Sequence, residues 1–288
     1  MVKVLMVGHG FSVTAYRKLL KELSLYKDLE LHTIYPNNWK DDFKTKTEIG
    51  KDEKINVIKP TAVFVPHMYR FFYPSPSLLF KVLSLKPDII HINEEPGSII
   101  ALQAWFWAKL TGAKVLFNTY ENIYRKQRFP LGLIYKIVTG SSQHALAIHE
   151  ECVDVLRKKG YKGNVKITYL GFDPEKFVKK DVSALKKKFG VENFAIGFMG
   201  RLSQEKGILT LIEACSKLNF QYHLILDKYV NTDFIKEMEE KAKELNVMGK
   251  IRYIDPAYEE VQDYINMFDV LVLPSETAPW WKEQFGRV

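Results

Sequence analysis

The segment Gly200-Arg201-Leu202-Ser203-Gln204-Glu205-Lys206-Gly207 sets a guanidinium and an ammonium between an apolar run at 195–199 and an amphipathic run at 208–218. Read as strand, turn and helix, it places one rigid planar cation and one flexible cation beside a helix N-terminus, whose unpaired N–H groups attract anions. That combination suits a diphosphate. Isolated Arg and Lys are ordinarily solvated surface charges. These two instead follow the end of a strand in an alternating pattern, at the edge where open α/β sheets bind ligands. A second turn, Gly8-His9-Gly10-Phe11-Ser12, follows the first apolar run. Its glycines would let backbone approach a ligand and Ser12 could cap a helix. A Gly-x-Gly with no third glycine at the dinucleotide spacing fits a plain turn equally well.

Other chemistries find little support. Cys152 and Cys215 are the two cysteines, far apart, so neither a disulfide framework nor a zinc pattern is visible. His144 and His149 stand five apart, a poor shared face for a metal. The net charge of +8 and pI near 9.1 favour anionic partners: nucleotides, phosphorylated acceptors, an acidic membrane surface or nucleic acid. The nucleic-acid reading lacks an aromatic RNA-binding pattern or a helix-turn-helix. No run approaches the ~20 apolar residues of a spanning helix. The opening MVKVLMVGHG reads as a strand of a cytoplasmic protein and not as a secretory signal.

The elements that must position these residues alternate along the chain, as in a parallel sheet with crossover helices. Strands are expected at 2–7, 29–35, 89–93, 114–119, 144–149 and 165–170, with helices through Leu19–Leu23, through Ala101, Ala104 and Ala108, and over 150–159. The polar stretch 36–54 reads as a mobile surface loop. Gly, Pro and charge at 171–181 suggest a linker, taken over about 171–190, between a domain at 1–172 and a second at 173–288. The run Lys186-Lys187-Lys188 reads as a solvated helix face. Strands at 195–199, 222–226, 251–254 and 270–273 then alternate with helices at 208–218, 233–245 and 259–267. The fold class is α/β, two Rossmann-like doubly wound domains, the second incomplete: it stops where another crossover helix should begin.

At this point the residues resemble the retaining glycosyltransferases of family 4, of GT-B architecture. GRLSQEKG (200–207) carries the likeness, together with the stretches at 87–124, 149–177 and 269–288. The resemblance implies that Arg201 and Lys206, with Gly200, hold the diphosphate of a nucleotide-sugar donor and stabilise charge on the leaving group. Glu283 matches the first Glu of a paired-Glu motif and would contact the donor sugar, with Gln284 and the amides of Phe285 and Gly286 beside sugar or phosphates. Gly10 would face the donor from the first domain. A carboxylate at Glu283 also fits a helix N-terminus on electrostatic grounds alone. The second Glu of the motif would fall beyond Val288, so the second domain reads as truncated and donor binding is expected to be weakened or lost in a 288-residue form.

Several positions depart from the family pattern. Glu121 stands where many members carry a His facing the sugar. Asp227-Lys228-Tyr229 replaces a Gly-x-Gly turn, and Asp255 replaces a Gly beside Pro256 and Ala257. No Asp-x-Asp occurs, which fits diphosphate neutralisation by Arg201 and Lys206 and implies donor binding without a metal or other cofactor. The implied activity is transfer of a hexose to a hydroxyl acceptor, lipid-linked or saccharide, with retention of configuration. Two other classes stay open: a non-catalytic nucleotide-sugar-binding or scaffold protein, and a GT-B nucleotide-sugar epimerase. The aromatic and basic stretches 67–83 and 122–130 suit an interfacial surface, hence peripheral membrane contact, although Phe and Leu at helical spacing also suit a core.

Overall fold

The apolar runs become parallel strands, and the runs of helical spacing become the crossovers between them. The computed structural model describes residues 1–13, 16–39, 55–228 and 232–286. The chain divides into two units, Met1–Leu170 and Gly171–Val288. Each is built around its own parallel sheet.

In the first unit, β1 (Val2–Val7), β2 (Leu29–Ile34), β3 (Asn56–Ile58), β4 (Ile89–Ile92), β5 (Lys114–Thr119), β6 (His144–Ala147) and β7 (Asn164–Ile167) form one sheet in the order β3-β2-β1-β4-β5-β6-β7. The crossovers include α1 (Arg17–Leu23), α2 (Pro76–Leu85), α3 (Ile99–Thr111), α4 (Leu131–Gly140) and α5 (Glu150–Lys158). The strand order reverses between β1 and β4, which pair from Val4↔Ile89 to Val7↔Ile92. A doubly wound sheet opens its ligand crevice at the carboxyl ends of the two strands at such a reversal.

Local chemistry sets the helix ends. Ser98 caps α3 by accepting the Ala101 N–H at 3.2 Å, and Gly112, at φ 76°, closes it. Ser75 and Pro76 start α2. The core beneath them joins Ile90 and Ile92 to Ala101, Ala104, Trp107 and Val138.

The second unit repeats the scheme on a smaller scale. Here β8 (Phe194–Phe198), β9 (Tyr222–Asp227), β10 (Ile251–Ile254) and β11 (Val270–Leu271) take the order β10-β9-β8-β11, with α6 (Ser183–Lys188), α7 (Ile208–Ser216), α8 (Thr232–Glu244) and α9 (Val261–Ile265) as its helices. The reversal falls between β8 and β11, paired through Val270↔Ile196 and Leu271↔Gly197. Ile208, Leu211, Ile212 and Cys215 turn one face of α7 into a core with Phe198, Leu224 and Leu226.

The two α/β sheets match the expected fold class, and the element bounds shift slightly. The last strand is Val270–Leu271 where 270–273 was expected, and the helix expected at 259–267 splits into a 3-10 turn, Tyr258–Glu260, and α9. Three elements had no counterpart in the expected pattern: β3, α2 and α4. The stretch 67–83 contains most of α2, whose Leu78 and Val82 are core while Phe80 faces out. The run Lys186-Lys187-Lys188 ends α6, with Lys187 and Lys188 exposed as expected and Lys186 at 3.7 Å from Asp269. Residues 40–54 of the expected surface loop, Tyr229 and Val288 lie outside the described residues. No helix among the described residues is long and apolar enough to cross a membrane.

Candidate functional site

Arg201 and Lys206 emerge where expected, after the carboxyl end of β8 and before α7. The turn depends on two glycines. Gly200 has φ 136° and Gly207 φ 67°, and a Cβ on Gly207 would stand 2.0 Å from the Pro274 carbonyl oxygen. Only glycine tolerates both that backbone and that approach. A 3-10 turn, Gln204–Lys206, carries Lys206 between β8 and α7. The segment after β11 is tied to it: the Glu276 N–H donates to the Glu205 carbonyl at 3.0 Å, and the Thr210 hydroxyl donates to the Glu276 carboxylate.

These ties bring Lys206 and Glu283 together. Lys206 Nζ donates to Glu283 Oε2 at 2.6 Å and sits 4.8 Å from the Trp281 ring centroid. Ser275 Oγ donates to the same carboxylate oxygen at 2.8 Å. Burial raises the Glu283 pKa, but hydrogen bonds from Lys206 and Ser275, the Lys206 charge and the Gly286 N–H outweigh it and hold the carboxyl below its ordinary value. Gly286, at φ 61°, thus turns its N–H toward Glu283. Arg201 is half exposed, with Nη2 3.9 Å from Glu205 Oε1. Gln284 and Phe285 face solvent. The arrangement offers a carboxylate held by three donors, a cation over an aromatic face, and a second cation in solvent at one sheet edge.

A second polar cluster occupies the reversal of the first sheet. Asn93-Glu94-Glu95 continues from β4, and each side chain holds a neighbouring strand end. Glu94 Oε1 accepts the His9 backbone N–H at 2.6 Å and lies 2.6 Å from His9 Nδ1. Glu95 accepts the Tyr120 N–H at 2.5 Å and the Thr119 hydroxyl at 3.1 Å. Asn93 Oδ1 accepts from Asn118 Nδ2 at 2.6 Å and from Tyr120 Oη at 2.8 Å. His91 Nε2 donates to Asn118 Oδ1 at 2.7 Å, and burial lowers its pKa despite that bond.

Burial pushes the Glu95 carboxyl up to about 7; the Tyr120 N–H, the Thr119 hydroxyl and Lys159 pull it down, while Glu121 adds to the rise. Glu121 itself pairs with Lys159, whose ammonium lies 4.9 Å from the Tyr135 ring centroid. Gly10 sits in the 3-10 turn His9–Ser12, where a Cβ would meet only Tyr16 at 3.6 Å. Gly8 is the constrained glycine of this turn: a Cβ there would come within 2.9 Å of the Asn93 carbonyl oxygen.

Sequence reasoning brought out Lys206, Glu283, Arg201 and Glu121, and passed over His9, Glu94, Glu95, Ser275, Trp281 and Lys159. The position of Asn93-Glu94-Glu95 directly after a strand was the available signal, since that edge is where an α/β sheet presents polar groups. Among the described residues, no group of three or more His, Cys, Asp or Glu is arranged to hold a metal ion. Cys152 and Cys215 are buried, and burial pushes their thiols up to about 12 and about 11.

Two Rossmann-like α/β units in tandem, the second with a cationic turn after its first strand, define a protein of the GT-B glycosyltransferase fold. Residues 180–288, most of the second unit, match the family model described as glycosyl transferases group 1. Anabaena HepE in complex with UDP is similar at TM-score 0.70 and 18% identity, covering 96% of this chain and 74% of that one. A glycosyltransferase from Rickettsia africae ESF-5 is similar at 0.66 and 16%, covering 95% and 73%. The UDP-GlcNAc 2-epimerase of Methanocaldococcus jannaschii is similar at 0.51 and 12%, covering 94% and 77%. At these identities the likeness concerns the fold. No curated protein sequence matches the chain significantly.

Proposed function

We propose that this chain moves a hexose from a nucleotide diphosphate donor to a hydroxyl acceptor, with retention of anomeric configuration. The carrying observation is the Lys206–Glu283 pair beside Ser275 and Trp281, at the β8/β11 reversal and within the stretch that matches the glycosyltransferase family. The UDP carried by HepE supports a uridine diphosphate donor.

In this reading a diphosphate lies between Arg201, Lys206 and the N-terminus of α7. Its two negative groups compete with the single Glu283 carboxylate for the ammonium. Glu283, still held by Ser275 and the Gly286 N–H, then accepts a hydroxyl of the donor sugar. As the bond from the anomeric carbon to the diphosphate oxygen breaks, negative charge grows on that oxygen, and the two cations stabilise it more than they stabilise the bound donor. The acceptor oxygen bonds the anomeric carbon from the same face, and its proton passes to the departing phosphate. Arg201 and Lys206 supply the charge neutralisation, so the proposed donor binding needs no divalent metal.

Calorimetry with UDP and UDP-glucose tests the assignment. Arg201→Ala and Lys206→Ala are each expected to weaken binding about ten-fold or more, as loss of a charge-assisted hydrogen bond implies. Binding unchanged by both substitutions overturns the diphosphate site. Binding without donor hydrolysis or transfer favours the non-catalytic nucleotide-sugar-binding reading instead.

A further inference from the structure

We propose that α2, α3 and α4 of the first unit form a docking surface for an anionic lipid bilayer. The inference goes beyond sugar transfer and does not rest on it. α3 packs against both α2 and α4, so the three helices make one continuous face. Phe80 on α2, Phe106 and Leu110 on α3 and Leu133 on α4 each leave between 47% and 68% of their surface to solvent. A shallow depression of about 340 Å³ runs over α3, lined by Phe72, Ile99, Leu102, Gln103, Trp105 and Phe106. Phe64, equally exposed, extends it with its ring 6.0 Å from that of Phe72. Large apolar groups gathered on one face mark an interaction surface, whereas single ones do not.

The charge pattern selects the occupant. α2, α3 and α4 contain no Asp or Glu, and each carries one exposed lysine: Lys81, Lys109 and Lys136. The segment leading into α4 adds the exposed Arg125, Lys126 and Arg128, with Phe129 84% exposed. That segment is seated at the start of α3, because Gln127 fills the space a Cβ on Gly97 would need.

The acids nearby are engaged elsewhere. Asp88 accepts the Lys3 N–H, Glu94 holds His9, Glu95 holds Thr119 and Tyr120, and Glu121 pairs with Lys159. A second copy of this chain would bring two sets of cations together with no carboxylate between them. An anionic bilayer meets both requirements: its interface takes the aromatic and aliphatic groups while lysine and arginine snorkel to the headgroups.

Vesicle co-sedimentation of the full chain tests the proposal. Vesicles of phosphatidylglycerol and phosphatidylcholine are expected to retain the protein at low salt, with release at high salt, and pure phosphatidylcholine vesicles are expected to retain little. The triple variant Lys81→Glu, Lys109→Glu, Lys136→Glu should lower partitioning by about ten-fold or more, since each basic residue near an anionic surface contributes roughly a five-fold factor. Phe106→Ser with Leu110→Ser should lower it at low and high salt alike. These side chains are exposed, and unchanged circular dichroism and thermal melting would show that the fold persists. The proposal fails if anionic vesicles do not retain the protein, if the variants partition as the parent does, or if size exclusion shows a dimer that the variants dissociate.

Discussion

Lys206 Nζ lies 2.6 Å from Glu283 Oε2, joining residues 77 positions apart at the carboxyl edge of one small sheet. The turn after β8 carries the cation, the segment after β11 carries the carboxylate, and Trp281 floors the ammonium. The ion pair is partly exposed, with 17% of the lysine and 32% of the glutamate side chain open to solvent. Water therefore screens it, and its contribution to stability is small beside its role in orienting both groups.

A double-mutant cycle of Lys206→Met and Glu283→Gln, read by urea unfolding at pH 7, should give a coupling of about 1 kcal/mol or less. The Glu283 pKa is lowered in the folded state, so this coupling is present above the unfolded carboxyl value and fades as pH falls through the folded one. A coupling that stays constant into acid would contradict the pairing.

Glu95 makes the opposite prediction. Its folded pKa, about 7 against an ordinary 4.5, means that the folded protein holds this proton while the unfolded chain has released it. Stability should therefore decline as pH rises from about 4.5 to about 7, by up to about 3 kcal/mol for a fully buried group. Thermal melts of Glu95→Gln over this range should lack the decline. A parent protein equally stable at both ends would show that Glu95 is not raised.

Gly207→Ala forces a Cβ into a left-handed backbone and against the Pro274 carbonyl oxygen. A destabilisation of about 2 kcal/mol or more is expected in chemical denaturation, together with weaker UDP binding, because the same turn carries Lys206. Gly10→Ala, whose Cβ would make only an ordinary contact with Tyr16 at 3.6 Å, should cost less than about 1 kcal/mol.

UDP affinity measured with and without a chelator checks the charge-neutralisation argument. Equal affinity is expected. A loss of ten-fold or more in the chelated sample would place a divalent cation on the diphosphate and remove Arg201 and Lys206 from that role.

Truncating Leu211 to Ala should destabilise the second unit by about 2–5 kcal/mol, the usual cost of a cavity in a packed core. Leu211 is buried between α7 and the sheet. A change below about 1 kcal/mol would mean that this face of α7 is not core.

Much of the fold was legible because parallel sheets write themselves as short apolar runs separated by amphipathic ones. β1, β5 and β10 fall where the sequence pattern places them, residue for residue. α2 was harder to see: its apolar side chains divide between the core, with Leu78 and Val82, and the exposed face, with Phe80, which blurs the periodicity that distinguishes the two. β3 is only three residues long, too short for any period to register.

The sequence by itself determined which cations stand at the second sheet edge, because Gly200, Arg201, Lys206 and Gly207 are close together in one turn between β8 and α7. Partnership was decided only by tertiary structure. Lys206 meets Glu283, Glu94 meets His9 and Glu95 meets Tyr120 because strand order brings together segments that follow neighbouring strands, and Glu121 meets Lys159 at the end of α5 through the packing of that helix. The raised carboxyl of Glu95 follows from burial, a property of the packed chain that no spacing encodes.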